Sequence, residues 1–170
     1  MNSQTRANDS DAVSWADRSP SEIVAFILRR FHEPLHRGLP ALVASARSVE
    51  SAADADALCP HGLGDHLEQV RLAVEAHLAK EEQILFPLIL AGRGRAAFMP
   101  IRVMMAEHAD HAANLACTHE LTHDFQLPSD APPPWRALYL ELERFEAELI
   151  QHIALEDNVL FTRVLGADGP

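Results

Sequence analysis

The sequence predicts an all-α protein, an up-down-up-down four-helix bundle. Three observations carry that prediction. Apolar residues recur at helical spacing over four long stretches, and no segment sustains a strand-like alternation. Helix start and stop signals frame those stretches. An eleven-residue segment also occurs twice: HLAKEEQILFP at 77–87 and HIALEDNVLFT at 152–162 share His, Ala, Glu, Leu and Phe without a gap.

The elements follow in order. Residues 1–18 are polar and acidic and read as a flexible tail, leaving 19–166 for the bundle. The first helix starts at SPSE, with Ser19 as N-cap, Pro20 at the first helical position and Glu22 completing a capping box. It runs towards Glu50, with Pro34, Gly38 and Pro40 expected to kink or interrupt it. The second helix covers 64–91, with Gly92 and Gly94 as stop signals. The third starts near Pro100 and runs to about Phe125. QLPSDAPPP, residues 126–134, is a loop, and the fourth helix runs from Trp135 to about Val164, ending at Gly166.

Composition excludes several functions. A net charge of −11 argues against nucleic acid and against anionic membranes as partners. The longest apolar runs, such as 84–91, fall far short of the roughly 20 residues of a membrane span. The first twenty residues contain no apolar signal region, so the expected location is the cytoplasm. Cys59 and Cys117 form no zinc or redox motif by spacing and are expected to be reduced thiols.

Ten histidines are the unusual feature, and their positions matter more than their number. On the second helix a core seam runs Leu67, Val70, Val74, His77, Glu81, Ile84, Leu88. On the fourth it runs Trp135, Leu138, Leu142, Phe145, Leu149, His152, Glu156, Val159. Each seam is apolar at both ends and carries His and Glu, four residues apart, in the middle. That spacing places both side chains on one helix face. His32 precedes His77 by 45 residues and His108 precedes His152 by 44, as if one helical hairpin were used twice about a pseudo-two-fold axis.

At a rise of about 1.5 Å per residue, all six side chains fall within a layer about 10 Å thick. A carboxylate buried in an apolar seam costs several kcal/mol unless it is paired. Binding a cation offsets that cost, because carboxylate and neutral imidazole are both good ligands. Six ligands exceed the needs of one tetrahedral zinc. They suit two ions, each with two of His32, His77, His108 and His152, sharing Glu81 and Glu156 as bridges. The donor set favours iron, with an oxo or hydroxo bridge and an open position for a small ligand, over manganese or zinc. No catalytic side chain is separately identified.

The remaining candidates receive bland assignments. His111, three residues after His108, is close enough to approach the site but is placed at its periphery or behind its ligands, and His36 at the surface. His61, His66, His119 and His123 are expected to face solvent or cap helices. Glu82 and Asp157, beside the two bridging acids, are expected to be solvated, and Met104 and Met105 to pack.

FHEPLHRGLP, HLAKEEQILFP, PIRVMMAEH, PPPWRALY and HIALEDNVLF together resemble the hemerythrin-like superfamily, and more closely its repair-of-iron-centres (RIC) di-iron proteins, over residues 23–165. The resemblance implies a hemerythrin-like bundle with a non-haem di-iron centre. Its ligands would be His32, His77, His108 and His152, with Glu81 and Glu156 bridging. Oxygen-carrying hemerythrins are similar but fit less well: they place an Asp five residues after the last His, whereas Glu156 follows His152 by four.

The implied function is repair of damaged iron–sulfur centres under nitrosative or oxidative stress, by donating iron or reacting with NO. The implied partners are NO, O2 or peroxide and the damaged iron–sulfur proteins. The alternative is an O2- or NO-binding or sensing module without repair activity. RIC proteins also carry a small N-terminal domain with paired cysteines, which the 18 residues before Ser19 do not contain. Family members often have a further His where this chain has Ala53. The Pro that closes the last LFP motif is Thr162 here, an exchange expected to affect only the helix end.

Overall fold

Capping chemistry sets where the chain begins its first helix. In the computed structural model, which describes residues 15–167, Ser19 Oγ accepts from the Glu22 N–H at 3.3 Å. Glu22 Oε2 in return accepts from the Ser19 N–H at 2.8 Å, closing the expected capping box. Of the segment 1–18, residues 1–14 lie outside those described. Trp15 packs edge-on against Phe26 at 4.7 Å, and Arg163 Nη2 donates to the Trp15 carbonyl at 2.7 Å.

Four long helices follow: α1 (residues 20–53), α2 (63–90), α3 (94–121) and α4 (133–167). Each packs against its neighbour in sequence, and α1 also packs against α4, closing the bundle. Among the described residues there is no strand. Glu50, near the end of α1, accepts from the backbone N–H groups of Gly62 and Gly64 and so caps α2. The approach there is close: a Cβ on Gly64 would lie 2.5 Å from Arg47 Cγ and 2.6 Å from Glu50 Oε2.

Two boundaries differ from expectation. Gly94 does not stop α2 but is the first residue of α3, so Pro100 lies inside that helix. At its other end α3 stops at Leu121 instead of continuing to Phe125. Thr122 Oγ1 donates to the Thr118 carbonyl at 2.8 Å and accepts from the Phe125 N–H at 3.2 Å. This local bonding competes with the helix. His123, Asp124 and Phe125 follow with positive φ, and the Phe125 ring turns back onto His119 and Tyr139.

α1 runs on through Pro40 as regular helix, and Pro34 does not break it for a reason the sequence did not reveal. The helices widen into π-turns at Leu28–His32, Glu81–Leu85 and Glu156–Phe161. Pro34 and Pro87 lie just after the first two, and neither can donate to the carbonyl four residues back. Widening re-pairs the neighbours: the Glu33 N–H donates to the Leu28 carbonyl, and the Phe86 N–H to the Glu81 carbonyl. Thr162 stands where Pro87 does, and its hydroxyl donates to the Asp157 carbonyl at 2.8 Å. The third widened turn therefore forms without a proline. Such turns are frequent at functional sites.

The core is divided in two. One apolar cluster, including Leu39, Leu67, Val74, Leu138 and Leu142, fills one half of the bundle. The other, including Ile23, Ile27, Phe86, Ile101 and Phe161, fills the opposite half. In sequence, the buried histidines and glutamates lie at the junction of these clusters on all four helices.

Candidate metal centre

The seam pattern brings six side chains into one buried layer. His32 comes from the π-turn of α1, His77 and Glu81 from α2, His108 from α3, and His152 and Glu156 from α4. None is more than 4% exposed. They form two groups of four that share both carboxylates: His32, His152, Glu81, Glu156 and His77, His108, Glu81, Glu156. Within each group the ligating atoms all lie within 4.8 Å of one another. Each group takes one histidine from each helical hairpin, so neither hairpin can complete a position alone.

The geometry is that of donors facing a common centre. His152 Nε2 lies 2.9 Å from Glu156 Oε1, and His108 Nε2 lies 3.3 Å from Glu156 Oε2. His32 Nε2 and His77 Nε2 approach the two oxygens of Glu81 at 3.4 and 3.5 Å. His32 Nε2 and His152 Nε2 face each other at 3.2 Å. Both Glu81 oxygens, Glu156 Oε2 and His108 Nε2 are buried with no hydrogen-bond partner in the protein. An unsatisfied buried polar group costs about 1–3 kcal/mol, more when charged. A cation in each group satisfies these atoms together, so the residues present fit two metal ions.

Electrostatics point the same way. Burial opposes charge on His77, but Glu81, Glu107 and Glu156 outweigh it and raise its pKa to about 9. Burial likewise opposes charge on His32 and His108, and Glu81 and Glu156 respectively reverse the effect. Burial would raise Glu156, yet His152 and His108 hold it well below the usual carboxylate range. The buried carboxylates draw protons onto the imidazoles that face them, and a bound metal would replace those protons.

Sequence reasoning misjudged the surroundings of these ligands. Glu82 is exposed and Asp157 half-buried, as solvated charges would be, but both are also bonded: Glu82 Oε1 accepts from His32 Nδ1 at 2.8 Å, and Asp157 Oδ1 accepts from His108 Nδ1 at 2.9 Å. Glu107, which no motif singled out, accepts from His77 Nδ1 at 3.0 Å and is paired with Lys80. An acid on Nδ1 fixes the tautomer that presents the Nε2 lone pair to the centre and raises ligand basicity. The repeat carried a signal for two of these residues, since an acid follows the shared Glu in both copies. Glu107 carried none, because the repeat holds no matching acid: the residue at its place before His32 is Phe31.

His152 is the exception. Its Nδ1 is buried without a partner, and its ring stacks on Phe31 at 5.1 Å and 16°. The remaining ring contacts repeat between hairpins: Phe86 lies against His32 at 5.6 Å and Phe161 against His108 at 6.0 Å.

His111 stands behind the converging donors, against His77. It is 3% exposed, its ring stands perpendicular to His77 at 5.0 Å, and neither nitrogen has a partner. Burial and the neighbouring His77 and His108 push its pKa down to about 4, so it is neutral. It is not among the converging donors. His36 is exposed and supports Glu82 at 3.3 Å. His66 bonds to Thr118 Oγ1 at 3.0 Å, and His119 to Glu146 at 2.9 Å, so both link helices instead of merely facing solvent.

Fold and donor set together define a class: a four-helix bundle whose core holds a two-metal site of histidines and shared glutamates. The hemerythrin HHE cation binding domain matches this chain over residues 24–164, and the chain belongs to that family. It is 41% identical over 159 residues to the iron–sulfur cluster repair protein YtfE of Pectobacterium carotovorum, covering 94% of this chain and 72% of that one. It is also 39% identical over 162 residues to the probable iron–sulfur cluster repair protein of Haemophilus influenzae, covering 95% and 72%. Among the described residues no helix is long and apolar enough to cross a membrane.

Proposed function

We propose that this protein is a di-iron protein that helps restore damaged iron–sulfur centres during nitrosative or oxidative stress, acting in the cytoplasm. The observation that carries the reading is the pair of buried four-donor groups sharing Glu81 and Glu156. The names of the relatives from Pectobacterium and Haemophilus supply the repair context. Imidazole with shared carboxylate suits iron in both its ferrous and ferric states. Iron held there would supply redox chemistry towards NO, O2 or peroxide.

The chain's own residues do the rest. His32, His77, His108 and His152 would bind through Nε2, with Glu81 and Glu156 bridging. Glu82, Glu107 and Asp157 orient three of the four rings and hold the Nδ1 protons. The two apolar clusters keep bulk water from the layer.

The test is reactivation of an NO-inactivated iron–sulfur enzyme by iron-loaded protein, with free iron chelated in the control. Recovery of activity beyond that control is the expected result. Reversible binding of NO or O2 without reactivation would instead identify a binding or sensing module.

A further inference from the structure

The two metal positions are not equivalent, and the difference lies in what stands behind the ligands. At the His77/His108 position both imidazoles are anchored through Nδ1, one by Glu107 at 3.0 Å and the other by Asp157 at 2.9 Å. At the His32/His152 position only His32 is anchored, by Glu82 at 2.8 Å. His152 has the flat face of Phe31 beside it and a buried, unpartnered Nδ1. Aligning the hairpins by their histidines puts Phe31 where the second hairpin has Glu107, each residue immediately preceding its helix's ligand. The pseudo-two-fold therefore holds for all six donors and fails at one supporting carboxylate.

That failure has a direct consequence. A carboxylate on the distal nitrogen makes an imidazole a stronger donor and holds its ring in place, and losing such a partner weakens metal binding on the order of 10–100-fold. Phe31 can pack against the ring but cannot accept its proton. The Glu107 support is itself reinforced, because Lys80 pairs with it.

We infer that the His32/His152 position is the exchange position, from which a metal ion is surrendered first, while the His77/His108 position retains its ion. The inference rests on the iron-donation reading above and says which half of the centre holds the cargo. It gives the unbalanced pair of residues, Phe31 and Glu107, a role that a purely redox or purely structural centre would not require.

The test follows metal loss from the two-metal protein to a chromogenic chelator. Wild type is expected to release its ions in two phases, with rates about 10-fold or more apart. His152→Ala should load a single ion that leaves in the slow phase. Phe31→Glu should slow the fast phase towards the slow one by offering His152 Nδ1 a carboxylate. Glu107→Leu should speed the slow phase towards the fast one. Phe31 is buried and its Glu variant could fail to fold; Glu107 is partly exposed, so that arm decides alone if helical content is lost in the other. Release of both ions at one rate, or a slow phase unmoved by Glu107→Leu, overturns the inference while leaving the di-metal reading intact. Failure of wild type to load two ions overturns that reading itself.

Discussion

The two helical hairpins of this protein supply the same donors and different supports. His32, His77 and Glu81 in the first correspond to His108, His152 and Glu156 in the second, and all six are buried. Next to them the halves diverge: Phe31 against Glu107, and Leu35 against His111. Glu82 and Asp157 remain equivalent, each accepting from the Nδ1 of its own hairpin's first histidine. The comparison separates what two ions require from what tunes each of them. Two carboxylates common to both groups cannot be altered on one side only, whereas the supporting groups can.

The largest expected effect comes from breaking what the hairpins share. Glu81→Ala or Glu156→Ala should reduce bound metal from two ions per chain to none, measured by elemental analysis, because each acid serves both groups. Retention of one full ion by either variant would contradict the shared-bridge assignment.

Next come the equivalent supports. Glu82→Gln and Asp157→Asn should each weaken metal affinity by about 10–100-fold, measured by competition with a chelator. Similar losses would sharpen the equivalence; a loss in only one would break it.

Proton competition should be visible as well. The His77 pKa is raised from 6.5 to about 9, so protonation of His77 stabilises the metal-free fold fully below about pH 6.5, and this contribution is lost as pH rises through 9. Metal must displace that proton, so apparent metal affinity should rise over the same interval. Affinity that is flat between pH 6.5 and 9 would show that His77 does not exchange a proton for metal.

The smallest effect belongs to His111. Its matching residue in the first hairpin is Leu35, and both nitrogens of His111 lack partners. His111→Leu should stabilise the metal-free protein by about 1 kcal/mol, which a thermal melt would register. Lost stability would mean that the imidazole is satisfied in solution.

The donors were legible in the sequence because a helix seam has a period, and a polar interruption of it at matching heights identifies a layer. The N-terminal capping box was legible for the same local reason. The supports were not. Whether Glu82 is solvated or bonded depends on where His32 sits across a helix interface, and Glu107 reaches His77 from a third helix. The widened turns were hidden too, because a proline in a helix reads as a break until the neighbouring hydrogen bonds are known. The end of α3 escaped notice because a threonine hydroxyl, not a glycine or proline, terminates it.

Whether the two buried four-donor groups hold two iron ions is open to direct measurement. The most direct measurement is metal identity and stoichiometry in freshly purified protein, with an optical spectrum of the oxidised form. Two irons per chain and near-ultraviolet charge-transfer absorption are the expected result. One ion per chain, or a stoichiometric spectroscopically silent metal such as zinc, would contradict it.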